Sequence, residues 1–311
     1  MKLPTILSGR ALFRLLFSML ALGVVLPALS KKRPAPVYIV AGQSNTDGRV
    51  PNDKLPGYIR TNGYSHCYWN FSSGTLSGHG LFEKFWPRII NRDNPNRWAY
   101  DAVTYYWLDR SLNTDFYIIK ESLGGTAIDT AATSNSQMYW SASPDYLAKT
   151  SASDKGGKSL VKALTENIGA CIDKQLSQKS EGYKIMAFIW QQGESDQTAS
   201  DRYEQNLRAV IDYVRNYLVR KTGDKHYRAL PVVIGGISHK SRGYSQGVEQ
   251  ACINLSKTMQ NVYFVPVPNA TLRTDELHFD AAGAELLGKK VYNQLVELKL
   301  AGHGAKKATL P

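Results

Sequence analysis

Five runs of the chain are almost continuously apolar: Val37–Ala41, Phe116–Lys120, Ile185–Trp190, Pro231–Ile237 and Val262–Val267. Short apolar runs of this kind, bounded by polar or glycine-rich residues, read as strands covered on both faces. Between and after them, apolar residues recur at helical spacing over Ser159–Leu176, Tyr203–Leu218, Gln246–Met259 and Ala281–Leu298. Strand alternating with helix predicts an α/β fold, a three-layer α/β/α sandwich around a five-stranded parallel sheet, flavodoxin-like in plan. Two long connections interrupt the rhythm. Residues 49–98 are rich in aromatics (among them Tyr58, Tyr64, Trp69, Phe71, Phe85 and Trp86), and residues 122–157 in Gly, Ser, Thr and Ala. Connections of that length inside a domain are functional or disordered, and the aromatic content argues against disorder.

The first thirty residues stand apart. Lys2, Arg10 and Arg14 precede an apolar run from Leu15 to Leu29, broken by Pro27, and Ala28-Leu29-Ser30 offers small residues for cleavage. Residues 1–30 therefore read as a secretory signal peptide. The competing reading is an uncleaved anchor, but about 15 apolar residues fall short of the roughly 20 that a spanning helix needs. The expected organisation is a signal peptide over 1–30, one catalytic domain over 31–300 and a flexible tail over 301–311. Such a protein works in the periplasm or is secreted, without stable membrane insertion after cleavage.

The net charge of +12 suggests nucleic acid until it is divided up. Residues 1–30 carry three cations and no acid, which leaves +9 on the rest. Apart from Lys31-Lys32-Arg33 and Lys306-Lys307 these charges are scattered, with no basic stripe interleaved with aromatics, so no nucleic-acid partner is expected. Three cysteines (Cys67, Cys171, Cys252) allow one disulfide at most, and three buried thiols fit equally well. None lies in a CxxC, and no His or Cys cluster has zinc-ligand spacing; no metal or organic cofactor is expected.

The residues suited to chemistry lie just after predicted strands. Ser44 follows the first strand in Gly42-Gln43-Ser44-Asn45, Gly124-Gly125 follows the second, Gln192 follows the third, and Asp275 and His278 lie beyond the fifth. In an open parallel sheet, ligands bind beyond the carboxyl ends of the strands, so these positions can converge. A serine hydroxyl needs a base, for which His278 is suited. A histidine base needs a carboxylate to hold its tautomer, and Asp275 sits three residues away. The tetrahedral oxyanion needs donors: the Ser44 N–H, a glycine N–H from Gly124 or Gly125, and the Gln192 amide. The order Ser…Asp…His matches the α/β-hydrolases, but Thr46 occupies the last glycine position of G-x-S-x-G, so a nucleophile elbow is disfavoured. Bland readings compete with each residue. Ser44 suits a helix N-cap, Asp275 could cap the helix near Ala281, and Glu194 and Asp196 could cap the helix that follows them. Asp47 and Arg49 stand near the serine without an assigned role.

Taken together, Gly-Gln-Ser-Asn after the first strand, Gly-Gly after the second, Trp190-Gln191-Gln192-Gly193-Glu194-Ser195-Asp196 after the third and Asp-x-x-His near the end make a stronger signal than any block alone. In order, over residues 36–295, they resemble the sialate O-acetylesterase and acetylxylan esterase group of the SGNH hydrolases. The resemblance implies a triad of Ser44, Asp275 and His278, with Gln192 in the oxyanion hole; for Glu194, a supporting place behind the site stands open beside the capping reading. It also implies an acetylated sugar or polysaccharide as substrate. Gln191 stands where many members have histidine or tyrosine, a departure that leaves the triad intact. The aromatics of 49–98 are core by default, with one or two free to stack on sugar rings. Two rival readings remain: a catalytically inactive carbohydrate-binding protein on the same fold, and a nucleotide-binding Rossmann protein. The second lacks G-x-G-x-x-G and any other phosphate-cradling glycine loop.

Overall fold

Along the first strand, β1 (Ala35–Gly42), successive side chains enter two different apolar layers. Val37, Ile39 and Ala41 face one, and Tyr38 and Val40 face the other. Both layers are closed by helices, so the strand is apolar at every position rather than at alternate ones. The computed structural model describes residues 33–72, 79–88, 96–152 and 159–310. The expected signal peptide lies outside the described residues. Among the described residues, no helix is long and apolar enough to cross a membrane.

The further strands are β2 (Val50–Pro51), β3 (Cys67–Ser72), β4 (Glu83–Lys84), β5 (Arg97–Trp98), β6 (Phe116–Ser122), β7 (Tyr183–Gln191), β8 (Val232–Gly235) and β9 (Val262–Val265). Seven of them form the main sheet in the order β4-β3-β6-β1-β7-β8-β9, while β2 and β5 pair separately. Every pairing in the main sheet is parallel except that of β4 with β3. The helices are α1 (Ser44–Asp47), α2 (Gly57–Asn62), α3 (Tyr100–Leu112), α4 (Pro144–Lys149), α5 (Leu160–Lys174), α6 (Tyr203–Thr222), α7 (Gln246–Thr258) and α8 (Ala281–Glu297). The apolar faces of α5, α6 and α7 cover one side of the sheet, and α3 and α8 cover the other. This is the expected three-layer α/β/α sandwich.

The sheet has seven strands rather than the five expected. The two extra strands, β3 and its edge partner β4, fall inside the segment read as a connection. Cys-Tyr-Trp-Asn-Phe-Ser carries buried Asn70 and Ser72 at strand positions, so it has no continuous apolar run. The two residues of β4, Glu83 and Lys84, are both exposed. The aromatics around β3 are core: Trp69 stacks on Phe71 with ring centroids 5.0 Å apart, and Phe85 meets Trp69 edge-on. Trp86 is exposed. All three cysteines are buried thiols. The terminal segment, expected to fray, is held against α8. Asn293 exchanges two hydrogen bonds with the Ala308 backbone, and the Tyr292 hydroxyl donates to the Lys306 carbonyl.

Candidate active site

The register of the central strands brings three chain reversals to one point. Gly42 at the end of β1 pairs with Ser122 of β6 on one side and with Gln191 of β7 on the other. The residues that follow therefore leave the sheet together at its carboxyl edge. A side chain at position 42 is excluded, because a Cβ there would lie 1.9 Å from the Gln191 carbonyl oxygen. Ser44 begins α1 two residues after this glycine, behind Gln43, and is almost fully buried. Gly124 lies against it: a Cβ on Gly124 would stand 3.3 Å from the Ser44 Cβ and 2.1 Å from Nη2 of Arg49. Gly125, by contrast, faces Asn135. Among the described residues, the backbone N–H groups of Ser44 and Gly124 have no acceptor. Two unspent donors thus flank the serine.

Asp275 and His278 form a local pair. The Asp275 Oδ2 lies 2.9 Å from His278 Nδ1, and its Oδ1 accepts the backbone N–H groups of Leu277 (3.0 Å) and His278 (2.9 Å). Partial burial pushes the Asp275 pKa up, but the hydrogen bonds from the His278 backbone, the His278 ring and the Leu277 backbone outweigh it and bring it to about 2. An ionised carboxylate only accepts, so Nδ1 carries the hydrogen and Nε2 is left as the basic nitrogen. The capping alternative for Asp275 does not hold. Asp280 caps α8 instead, its Oδ1 accepting the Gly283 N–H at 2.8 Å.

What joins the pair to the serine is Asn45, a residue to which the sequence reading gave no role beyond its place in the Gly-Gln-Ser-Asn block. Its Oδ1 accepts the backbone N–H of Phe279 at 3.0 Å, so the residue after the serine holds the residue after the histidine. The Asn45 amide in turn donates to Glu194 Oε1 at 2.7 Å, and Gln191 donates to the same oxygen at 3.0 Å. A carboxylate acceptor behind the amide fixes which way Asn45 points. A second tie runs from Arg273 Nη1 to the Arg49 carbonyl at 2.6 Å. Glu194 and Asp196 do not cap the helix that follows them; Glu194 fixes Asn45, and Asp196 accepts the backbone N–H groups of Ile128 and Asp129. Among the described residues Ser44 Oγ makes no hydrogen bond, so the bond from serine to histidine is not closed in this structure. Such bonds are commonly long until substrate binds.

Gln192 departs from expectation. Its amide nitrogen donates to Asp196 Oδ2 (2.6 Å), the Thr126 carbonyl (3.0 Å) and Gln43 Oε1 (3.2 Å), and the residue is 1% exposed. An amide has two N–H groups, and three buried acceptors already use them. The side chain therefore stitches the serine turn to the Gly124 loop and is not aimed at an oxyanion. Gln192→Ala is expected to lower the melting temperature, because stranding buried acceptors costs about 1–3 kcal/mol. Turnover per active site should fall less than the roughly 10²-fold loss of a direct oxyanion donor. Thermal unfolding and kcat measured on the same preparation check both.

The parallel sheet, its strand order and the placing of the ordered blocks just after its strands are those expected of the SGNH type. The chain belongs to the carbohydrate esterase family described as sialic acid-specific acetylesterase, whose model matches residues 113–297, more than half of its length. That span contains Gly124, Gln192, Glu194, Asp275 and His278; Ser44 precedes it. No curated protein matches the sequence significantly. Among solved structures, one from Arabidopsis thaliana superposes with a TM-score of 0.58 at 19% identity, covering 85% of this chain and 98% of that one. NanS superposes with a TM-score of 0.54 at 14% identity, covering 86% and 98%. A carbohydrate acetylesterase from Xanthomonas citri gives 0.50 at 14% identity, covering 82% of this chain and 55% of that one. At these identities the likeness is one of fold.

Proposed function

We propose that the protein is a serine esterase that removes O-acetyl groups from a carbohydrate through an acetyl-enzyme on Ser44. In this reading His278 Nε2 takes the Ser44 proton as Oγ attacks the ester carbonyl carbon. The tetrahedral intermediate then collapses, and the bond to the sugar oxygen breaks as His278 returns the proton to that oxygen. Water, deprotonated by the same histidine, attacks the acetyl-serine carbonyl; the bond to Oγ breaks as His278 returns the proton to Ser44, and acetate leaves. Asp275 keeps the imidazole in the tautomer this requires, and the Ser44 and Gly124 N–H groups receive the oxyanion. No step calls for a metal or an organic cofactor.

The observation that carries the reading is the Asn45 bridge, which couples the serine turn to the Asp275–His278 pair and is itself oriented by Glu194. A structural serine or a surface histidine would need no such coupling. Residues 1–30 act in this account as a cleaved signal peptide that delivers the domain over 31–300 to the periplasm or the exterior. The test is acetate release across acetylated sialic acids, acetylated xylan and other acetylated sugars. The expected result is catalytic release from at least one of them, together with turnover of p-nitrophenyl acetate. Sugar binding with no turnover of any ester would favour the inactive carbohydrate-binding alternative.

A further inference from the structure

We propose that Arg49 is a catalytic residue of this esterase, with its Nη2 group donating to the oxyanion that forms when Ser44 attacks the ester. The inference rests on the reading of Ser44 as nucleophile and adds a residue to it. The side-chain donor expected beside the two backbone N–H groups was Gln192, but its hydrogens are spent on Asp196, Thr126 and Gln43. The side chain that does stand at the junction of Ser44 and Gly124 is Arg49.

The point that a Gly124 Cβ would occupy is 2.1 Å from Arg49 Nη2 and 3.3 Å from the Ser44 Cβ. The guanidinium and the nucleophile are therefore neighbours across Gly124, and the glycine leaves room for both. Nη1 is pinned from the other side, donating to Asp47 Oδ2 at 2.6 Å and to the Gly48 carbonyl at 2.7 Å. Asp47 is buried, and the Arg49 side chain is 13% exposed. Holding one arm of a planar fork fixes the direction of the other. Among the described residues, Nη2 donates to no protein acceptor. A fixed, permanently charged donor with an open N–H beside the serine meets the requirement for transition-state stabilisation. It is aimed before the reaction begins, and its bond to an anion is charge-assisted. Asp47, paired with Nη1, balances the charge of the guanidinium.

The test compares R49M with wild type in kcat and KM, with active sites counted by the acetyl burst. Three esters are used: p-nitrophenyl acetate, a neutral acetylated sugar and a carboxylate-bearing one. Inhibition by methylboronate, which becomes a tetrahedral anion on a nucleophilic serine, is read alongside. The expected result is a fall in kcat of about 10²–10³-fold on all three esters with KM little changed, and a similar weakening of methylboronate. R49K guards against a variant that does not fold: a lysine cannot hold Asp47 and reach across Gly124 together, so its kcat should fall at least about tenfold. Wild-type kcat in R49M or R49K overturns the proposal. So does a loss confined to the carboxylate-bearing ester, which would make Arg49 a reader of substrate charge, and so does lost turnover with unchanged methylboronate inhibition. An active wild type beside an equally active R49M removes Arg49 alone; a wild type that turns over no ester removes the esterase reading with it.

Discussion

Ser44→Ala leaves a protein that melts like wild type and no longer hydrolyses acetyl esters. Among the described residues the hydroxyl makes no hydrogen bond, so its removal strands no partner. The backbone bond from Gly48 N–H to the Ser44 carbonyl does not depend on the side chain. What is lost is the atom that bonds to the acyl carbon. In proteases with the same kind of triad, removing the serine lowers kcat by about 10⁶, and a loss of that order is expected here. p-Nitrophenyl acetate hydrolysis and thermal unfolding are the two measurements. Turnover near the wild-type level in a folded Ser44→Ala variant would remove Ser44 as nucleophile.

Asp275→Asn comes next in size. The Asn Oδ1 can still accept the backbone N–H groups of Leu277 and His278, so the turn keeps its shape. Its NH₂ group would face His278 Nδ1 and donate to it, which drives the ring hydrogen onto Nε2 and removes the base. The corresponding change in serine proteases costs about 10⁴ in kcat, and a fall approaching that is expected here. The loss should be smaller than that of His278→Ala, since a water or a backbone carbonyl can partly orient the ring. Because the carboxyl ionises at about 2 in the wild type, it is charged throughout the neutral range and supplies this orientation there. Equal kcat in Asp275→Asn and wild type would mean that another group orients His278.

Much of this was legible in the chain because burial on both faces writes itself plainly. β1, β6, β7, β8 and β9 are covered by helices on either side, and each shows as an apolar run. β3 is buried as well, yet it spends Asn70 and Ser72 on polar roles, so its pattern is broken. Helix α3 hides for a related reason. Asp101 and Asp109 point inward, Asp101 to the buried Lys120 at 2.6 Å and Asp109 to the backbone N–H groups of Ser65 and His66. Buried charges of this kind blur the amphipathic period that marks a helix. At the site, the places of Ser44, Asp275 and His278 beyond strand ends, and the pairing of Asp275 with His278, were legible because these residues sit in punctuated blocks after strands. The part played by Gln192 was not, since the motif names the residue without naming its acceptors. Asn45 and Arg49 carried no local signal for their parts. Their partners lie 234 positions away for the Asn45–Phe279 bond and, for Arg49, at Gly124 beyond the end of the neighbouring strand β6, and only the fold brings them together.

The central claim, that Ser44 becomes acetylated during turnover, is tested most directly by acid-quenching the enzyme during hydrolysis of an acetyl ester and mapping its peptides by mass spectrometry. The account predicts an acetyl group on the peptide that carries Ser44, present in the quenched sample and gone once substrate is exhausted. Turnover with no acetylated peptide, or with the acetyl group on a different residue, would contradict it.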